Sequence, residues 1–278
     1  VIERIGKRAL PEIETYLWER PCENIYLLSD LEATREQAPL RPEADTFALL
    51  GYRLNGRVIG AQAFYRYGRW FPQFESEAAL DAMLHDMRQR HVRWILGVRR
   101  VVDPILRRLT QDGRRLSHDE LDWLCAVDRA SLHPYHIEGV RRAVEQDAEA
   151  MADLRLRFEV EYFHTAPERV DRGWCRSAAE RYIADGAYLA EREGRVAAMV
   201  VVEARIEGLA QVGAVFTTPD YRGQGLAKGV VSALCEELLA QVAQVPLTVR
   251  LDTAPALSAY EALGFRKRDE YRMSRCVS

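Results

Sequence analysis

The stretch from Gln211 to Gln241, QVGAVFTTPDYRGQGLAKGVVSALCEELLAQ, restricts the fold more than any other part of the chain. It opens with an apolar run, Val212 to Thr217, that reads as a buried strand, and Pro219, which cannot donate to a ladder, stops it. Beyond RGQGLA, residues 222–227, apolar side chains recur at Leu226, Val230, Leu234 and Leu238, and again at Ala227, Val231, Cys235 and Leu239. That is a broad stripe at helical period. Strand, glycine loop and helix in this order bring several free backbone N–H groups and the positive end of a helix dipole to one point. Gly223 and Gly225 let the main chain approach a guest closely, and the guest that fits is a phosphate or pyrophosphate.

What the loop lacks narrows the choice. No Lys-Ser/Thr pair follows it, as a nucleotide P-loop requires, and the third glycine of a dinucleotide fingerprint is missing. The loop resembles instead the acetyl-CoA loop of the GNAT acyltransferase family, Arg/Gln-x-x-Gly-x-Gly/Ala, met here in order by Arg222, Gly225 and Ala227. A strand running into Pro219-Asp220-Tyr221 precedes it, and a second element similar to the family's, DTAPALSAYEALGF at residues 252–265, follows.

A chain of 278 residues suits two domains, each large enough for its own core. An internal repeat supports that division. Asn55-Gly56 is a strong hairpin signal between Phe47–Tyr52 and Val58–Phe64, and Gly56-Arg57-Val58 recurs half a chain later as Gly194-Arg195-Val196, in a hairpin turning at Glu193-Gly194. The segments Pro104 to Gly113 and Pro255 to Gly264 have equal length. We therefore read two copies of one mixed α/β unit, 1–132 and 139–278, joined through Arg129 to Gly139, where Pro134 and Gly139 interrupt regular structure. Periodicity predicts two short helices between Pro11 and Glu32, a helix over 77–90 with a strand over 92–98, and a short strand and helix within 141–163. The resemblance implies two tandem GNAT-like domains, each a central mixed, mostly antiparallel sheet flanked by helices.

The first copy has lost what the second keeps. Where the loop should lie it offers FPQFESEAALD, residues 71–81, with no glycine, and Glu75, Glu77 and Asp81 occupy the place an anion would want. Leu109 stands at the position that Tyr260 holds in the second copy. The pattern is similar to tandem GNAT proteins in which only the C-terminal copy binds cofactor.

Carried over residue by residue, the resemblance implies that Val215, Phe216 and Thr217 present strand backbone to the pantetheine arm. An N–H of Val215 or Phe216 would polarise the thioester carbonyl. Arg222, Gly223, Gln224, Gly225, Leu226 and Ala227 would hold the pyrophosphate. Tyr260, in the family's tyrosine position before Leu263-Gly264-Phe265, would be the general acid for the departing thiolate. Thr253 stands where the family often has an Asn touching the cofactor arm. Many members carry a Glu on the strand before the loop; here it is Gln211, which cannot accept a proton. Glu203, Glu161, His164 and Asp252 remain as candidate bases, with Glu203 put forward, and a water chain is the other route. The implied activity is transfer of an acetyl group from acetyl-CoA, as co-substrate, to a primary amine of a small molecule or peptide, by direct attack in a ternary complex and without a metal. The alternative is a non-catalytic acyl-CoA-binding or regulatory module.

Composition closes other routes. A net charge of -3 lacks the cationic excess of a nucleic-acid binder. Arginines between Arg88 and Arg115 read as a solvated face. His133-Pro134-Tyr135-His136 spaces two histidines three apart, but Pro134 argues against a helical metal site. Cys22, Cys125, Cys175, Cys235 and Cys276 form no Cys-x-x-Cys pair, which points to a reducing compartment. With no apolar run of membrane length and no signal-peptide pattern, the expected location is the cytoplasm, away from membranes.

Overall fold

The computed structural model describes residues 2–6, 9–36, 47–65 and 68–277. In chain order the strands and helices are β1 (Glu3–Ile5), α1 (Leu10–Trp18), α2 (Pro21–Glu36), β2 (Phe47–Leu54), β3 (Arg57–Tyr65), β4 (Arg69–Phe74), α3 (Glu77–Arg88), β5 (Trp94–Val98), α4 (Arg99–Gln111) and β6 (Arg115–Asp128). There follow β7 (Val140–Arg142), α5 (Ala148–Tyr162), α6 (Arg172–Asp185), β8 (Ala187–Arg192), β9 (Arg195–Ile206), β10 (Leu209–Thr217), α7 (Leu226–Leu238), β11 (Gln244–Arg250), α8 (Ala254–Ala262) and β12 (Arg266–Val277). The fold is mixed α/β, with mostly antiparallel strands flanked by helices.

The chain divides into two compact units, but not at the expected place. The first comprises Val1–Leu124, Thr248–Asp252 and Arg268–Ser278, and the second Cys125–Leu247 and Thr253–Lys267. Two corrections to the 1–132 and 139–278 division follow. Residues 125–138 belong to the second unit, and Thr248–Asp252 together with the last strand from Arg268 onward belong to the first. The physical reason is hydrogen bonding remote in sequence: Tyr271–Arg275 of β12 run antiparallel to Trp94–Val98, a pairing that no local pattern announces.

In the first unit the strand order is β1-β2-β3-β4-β5-β12. The β2–β3 hairpin turns through Asn55 and Gly56 at φ 53 and 82, the paired positive values such a two-residue turn needs. β4 was hidden from sequence reading by Pro72. Pro72 stands opposite Gln62 in the β3–β4 ladder, and the rungs of β4 to β5, Arg69↔Trp94 and Trp70↔Ile95, stop short of it, so its missing N–H costs no bond on the β5 side.

In the second unit the order is β7-β8-β9-β10-β11. Neighbours are antiparallel except β10 and β11, which run parallel and are joined by the single rung Leu209↔Gln244. From there the two strands part. Helix α6, which sequence periodicity did not reveal, starts at Asp171, whose carboxylate accepts from the Trp174 N–H at 3.0 Å. It packs Cys175 and Tyr182 with Met151 and Phe158 of α5 against Met199 and Val201 of β9. These side chains are almost fully buried, and each contributes on the order of 2 kcal/mol of hydrophobic stabilisation.

Candidate functional site

The site is assembled where β10 runs into α7. After Thr217, a turn through Pro219–Tyr221 leads into the glycine loop. Gly223 and Gly225 adopt φ 75 and 77, the left-handed region that costs other residues free energy. Gly225 is the N-cap of α7 and supplies no side-chain cap, and the first turn of α7 carries no acidic residue. Its leading N–H groups therefore lack the local side-chain acceptors that usually satisfy such donors. Arg222 folds back over the loop. Its Nε donates to the Thr217 carbonyl at 3.0 Å, its Nη2 to both carboxylate oxygens of Glu161 at 2.5 and 2.7 Å, and its guanidinium lies 5.7 Å from the Phe216 ring centre. The Thr217 hydroxyl is buried with no hydrogen-bond partner. An uncapped helix start, two glycines that expose backbone, an arginine and an orphaned hydroxyl together fit an anionic guest.

Sequence reasoning missed Tyr135. Its backbone N–H donates to the Ser232 hydroxyl at 2.8 Å, Ile137 fills the space beside Gly229, and the Tyr135 hydroxyl lies 2.7 Å from where a β-carbon on Gly225 would stand. The Lys228 ammonium is 3.8 Å from the centre of the Tyr135 ring. The segment read as a joining linker is therefore laid along α7, with a tyrosine over the glycine loop. Gly229 inside the apolar stripe of α7 is its only trace in the sequence.

Beside the loop, β10 is irregular. Its register with β9 shifts between Gln211 and Val212 and again between Gly213 and Phe216, and Ala214 sits at φ 44. Such bulges bend a strand and redirect its backbone. Val215, Phe216 and Thr217 lie past this bend, on a stretch that shares no rung with β11. The Phe216 ring is buried against Phe158, with centroids 6.5 Å apart. Glu203 of β9 approaches the bend closely, its carboxylate lying over Gly213.

Tyr260 is the one buried residue of α8, 6 % exposed, with its ring centre 5.9 Å from that of Phe265. Burial, with Cys125 and Cys235 adding to it, pushes its hydroxyl above the ordinary tyrosine range, so it stays protonated at neutral pH. Burial likewise pushes the Cys125 thiol up to about 11. The turn after α8 is fixed by close approach: Gly264 is at φ 95, a β-carbon there would strike the Ser131 carbonyl, and the His133 N–H donates to the Leu263 carbonyl at 2.9 Å. Thr253 holds the N-cap position of α8 without a side-chain cap, and its carbonyl accepts from Ala256 and Leu257.

The other proposed bases are placed differently. Glu161 is bound to Arg222. Asp252 belongs to the first unit and pairs with Arg250 at 3.0 Å. His164 follows α5 at φ 50. His136 lies 3.0 Å from Glu236, and among the described residues no three His, Cys, Asp or Glu side chains form a metal-binding group. Several arginines of the first unit are engaged with carboxylates: Arg88 with Asp112, Arg99 with Asp103 and Glu270, and Arg108 with Glu77 and Asp81. None of the five cysteines forms a disulfide. Among the described residues no helix is long and apolar enough to cross a membrane.

Comparison with known proteins agrees with this geometry. Residues 148–265 match the Acetyltransferase (GNAT) family, the span that holds α5 to α8 and the glycine loop. Residues 148–265 thus carry a GNAT-family domain. No curated protein matches the chain. Among solved structures, a GCN5-related N-acetyltransferase from Sphaerobacter thermophilus shares the fold with a TM-score of 0.66 at 15% identity, over 99% of this chain and 95% of that one. A tandem GNAT protein from the clavulanic acid biosynthesis pathway gives 0.59 at 15% identity, covering 99% and 98%. A GNAT-family acetyltransferase from Colwellia psychrerythraea gives 0.56 at 13% identity, over 100% of both chains. The likeness in fold thus extends along the whole chain, whereas the family match is confined to its second half. Family and fold support acyl transfer as the general activity.

Proposed function

We propose that the second unit is an acetyl-CoA-dependent N-acetyltransferase, with one cofactor site per chain and a primary amine as acceptor. The observation that carries this reading is the open start of α7: donors without local side-chain acceptors, flanked by Arg222 and reached over two left-handed glycines. Residues Arg222, Gly223, Gln224, Gly225, Leu226 and Ala227 hold the pyrophosphate, chiefly through backbone N–H groups. Val215, Phe216 and Thr217 offer the strand edge to the pantetheine arm, with Thr253 as a further hydroxyl contact. When bound, acetyl-CoA supplies an activated acyl group as a thioester. The chain contributes position and polarity: a backbone N–H of Val215 or Phe216 faces the carbonyl oxygen, where developing negative charge is stabilised. Glu203 takes a proton from the acceptor ammonium, and Tyr260 returns one to the departing thiolate. Raising the Tyr260 pKa keeps that proton in place at neutral pH and makes the hydroxyl a weaker donor. The first unit, without the loop or the tyrosine, binds no cofactor. Five cysteines that form no disulfide fit a protein working in the reducing cytoplasm.

The test is release of free thiol from acetyl-CoA in the presence of a panel of primary amines: an amino-acid amide, a polyamine, an aminoglycoside and a lysine-containing peptide. Amine-dependent release supports transfer. Tight acetyl-CoA binding with no release for any amine turns the reading to a non-catalytic acyl-CoA-binding module.

A further inference from the structure

Strand β10 places its glycine one residue away from where its backbone conformation calls for one. Ala214 carries the left-handed φ of 44, a conformation in which a non-glycine residue stores on the order of 1 kcal/mol of strain. Gly213, immediately before it, has no positive φ. Its lack of a side chain is therefore not explained by backbone freedom. It is explained by space: a β-carbon at position 213 would stand 2.2 Å from the carboxyl carbon of Glu203 and 2.4 Å from each carboxylate oxygen. A side chain at 213 would fit only if that carboxylate swung away from the strand. The ladder around it is built to match. Gln211 pairs with Ala204 and Val212 with Val202, so the register skips Glu203 on β9, and the shift between Gly213 and Phe216 follows at once on β10. Two irregularities on neighbouring strands meet where the carboxylate rests, and Glu203 is only half-buried there.

We propose that Gly213 is a positioning residue for the acyl-transfer reaction. Its bare Cα seats the Glu203 carboxylate against the bend of β10, next to the Val215 and Phe216 backbone that faces the thioester. The inference rests on the acyltransferase reading above. In the step it serves, Glu203 takes one proton from the acceptor ammonium, giving a carboxylic acid and a neutral amine. The amine nitrogen forms its bond to the acyl carbon as the carbon–sulfur bond breaks, the thiolate takes the Tyr260 proton, and the new amide nitrogen gives up its surplus proton to water. Exchange with water then returns both side chains to their starting states.

The experiment is a double-mutant cycle on the full chain, read by thiol release with acetyl-CoA and the best amine of the panel, and by calorimetric acetyl-CoA affinity. Gly213→Ala should lower kcat by at least about ten-fold, within the usual worth of a placed base, while acetyl-CoA affinity changes by less than about two-fold. Glu203→Asp alone should also be slow. Gly213→Ala with Glu203→Asp should be faster than Gly213→Ala, because the shorter acid withdraws from the new methyl group. Such coupling between contacting residues is what a cycle isolates, and a glycine needed only for the strand gives no rescue. Carboxylate NMR titration of the unliganded protein adds a readout apart from turnover: the Glu203 carboxyl resonance and its titration midpoint should move in Gly213→Ala. If Gly213→Ala alone does not fold, a folded double variant is the expected result. Failure of both to fold overturns the proposal, as do wild-type turnover in Gly213→Ala or absence of rescue in the folded double variant. Wild-type protein that binds acetyl-CoA yet releases thiol with no amine sinks the acyl-transfer reading itself, and this proposal with it.

Discussion

Each unit has a strand that leads into a helix at the corresponding place, and the two turns are built in opposite ways. In the first unit β4 leads through Glu75 and Ser76 into α3. The Ser76 hydroxyl accepts from the Ala79 N–H at 3.3 Å, Glu75 pairs with Arg57 at 3.0 Å, and Glu77 and Asp81 pair with Arg108 at 2.9 and 3.0 Å. The positive end of α3 is met by the chain's own oxygens, and their charges are met by its own arginines. In the second unit β10 leads through two left-handed glycines into α7, whose N-cap offers no oxygen and whose first turn holds no acid. A helix start can be satisfied internally, which stabilises the fold, or left open for a guest; one residue cannot do both.

Substitutions can break or sharpen that contrast. The largest effect should come from Gly225→Glu, which puts a side chain into a left-handed position against the Tyr135 hydroxyl and a carboxylate at the helix start. Calorimetry should show one acetyl-CoA per wild-type chain and no detectable binding for the variant, with an unchanged circular dichroism spectrum. A wild-type stoichiometry near two would mean that the capped turn also binds, and the contrast would fail.

Tyr260→Phe keeps the packing against Phe265 and removes the proton donor. Turnover should fall by roughly ten- to ten-thousand-fold with acetyl-CoA affinity nearly constant. An unaltered rate would remove Tyr260 from the mechanism and leave only its place in the core.

Ser76→Ala addresses the other turn. Loss of this N-cap should lower unfolding free energy by about 1 kcal/mol in denaturant titrations, without changing acetyl-CoA affinity. A fall in affinity instead would show that the first unit takes part in cofactor binding.

The smallest effect belongs to Glu161→Gln. Glu161 now occupies Arg222, and both side chains are about half exposed, so the pair is weak. Freeing the guanidinium should tighten acetyl-CoA binding by roughly two- to five-fold, the worth of an exposed ion pair. Weaker binding would show that Glu161 holds Arg222 in its working position.

Much of this was legible in the residues because it depends on short spacing. The hairpin at Asn55-Gly56, the helix over 77–90, seen as Glu77–Arg88, and the strand, loop and helix from Val212 onward all follow from signals within a few residues. The absence of glycine in 71–81 was also readable, and Ser76 caps α3 as such a segment permits. β4 was obscured by Pro72, whose missing N–H matters only where a ladder would need it. α6 was passed over because its buried face is made by small and mixed residues such as Cys175, Ala178 and Ala179, which leave a weak stripe.

The sequence by itself determined the local chemistry of this protein: glycines at 223 and 225, an arginine before them, a tyrosine before Leu263-Gly264-Phe265, and a first copy without a loop. Bond geometry and side-chain periodicity act over a turn or two, so such features survive in the order of residues. Tertiary structure alone decided which remote groups meet them. It joined β12 to β5, laid Tyr135 on Gly225, tied Glu161 to Arg222, and set the Glu203 carboxylate on Gly213 rather than leaving it one candidate base among four. All but the last of these contacts join residues remote in sequence, and the last depends on strand register. A slip of one position in register turns every side chain to the other face, and no local pattern records which register wins.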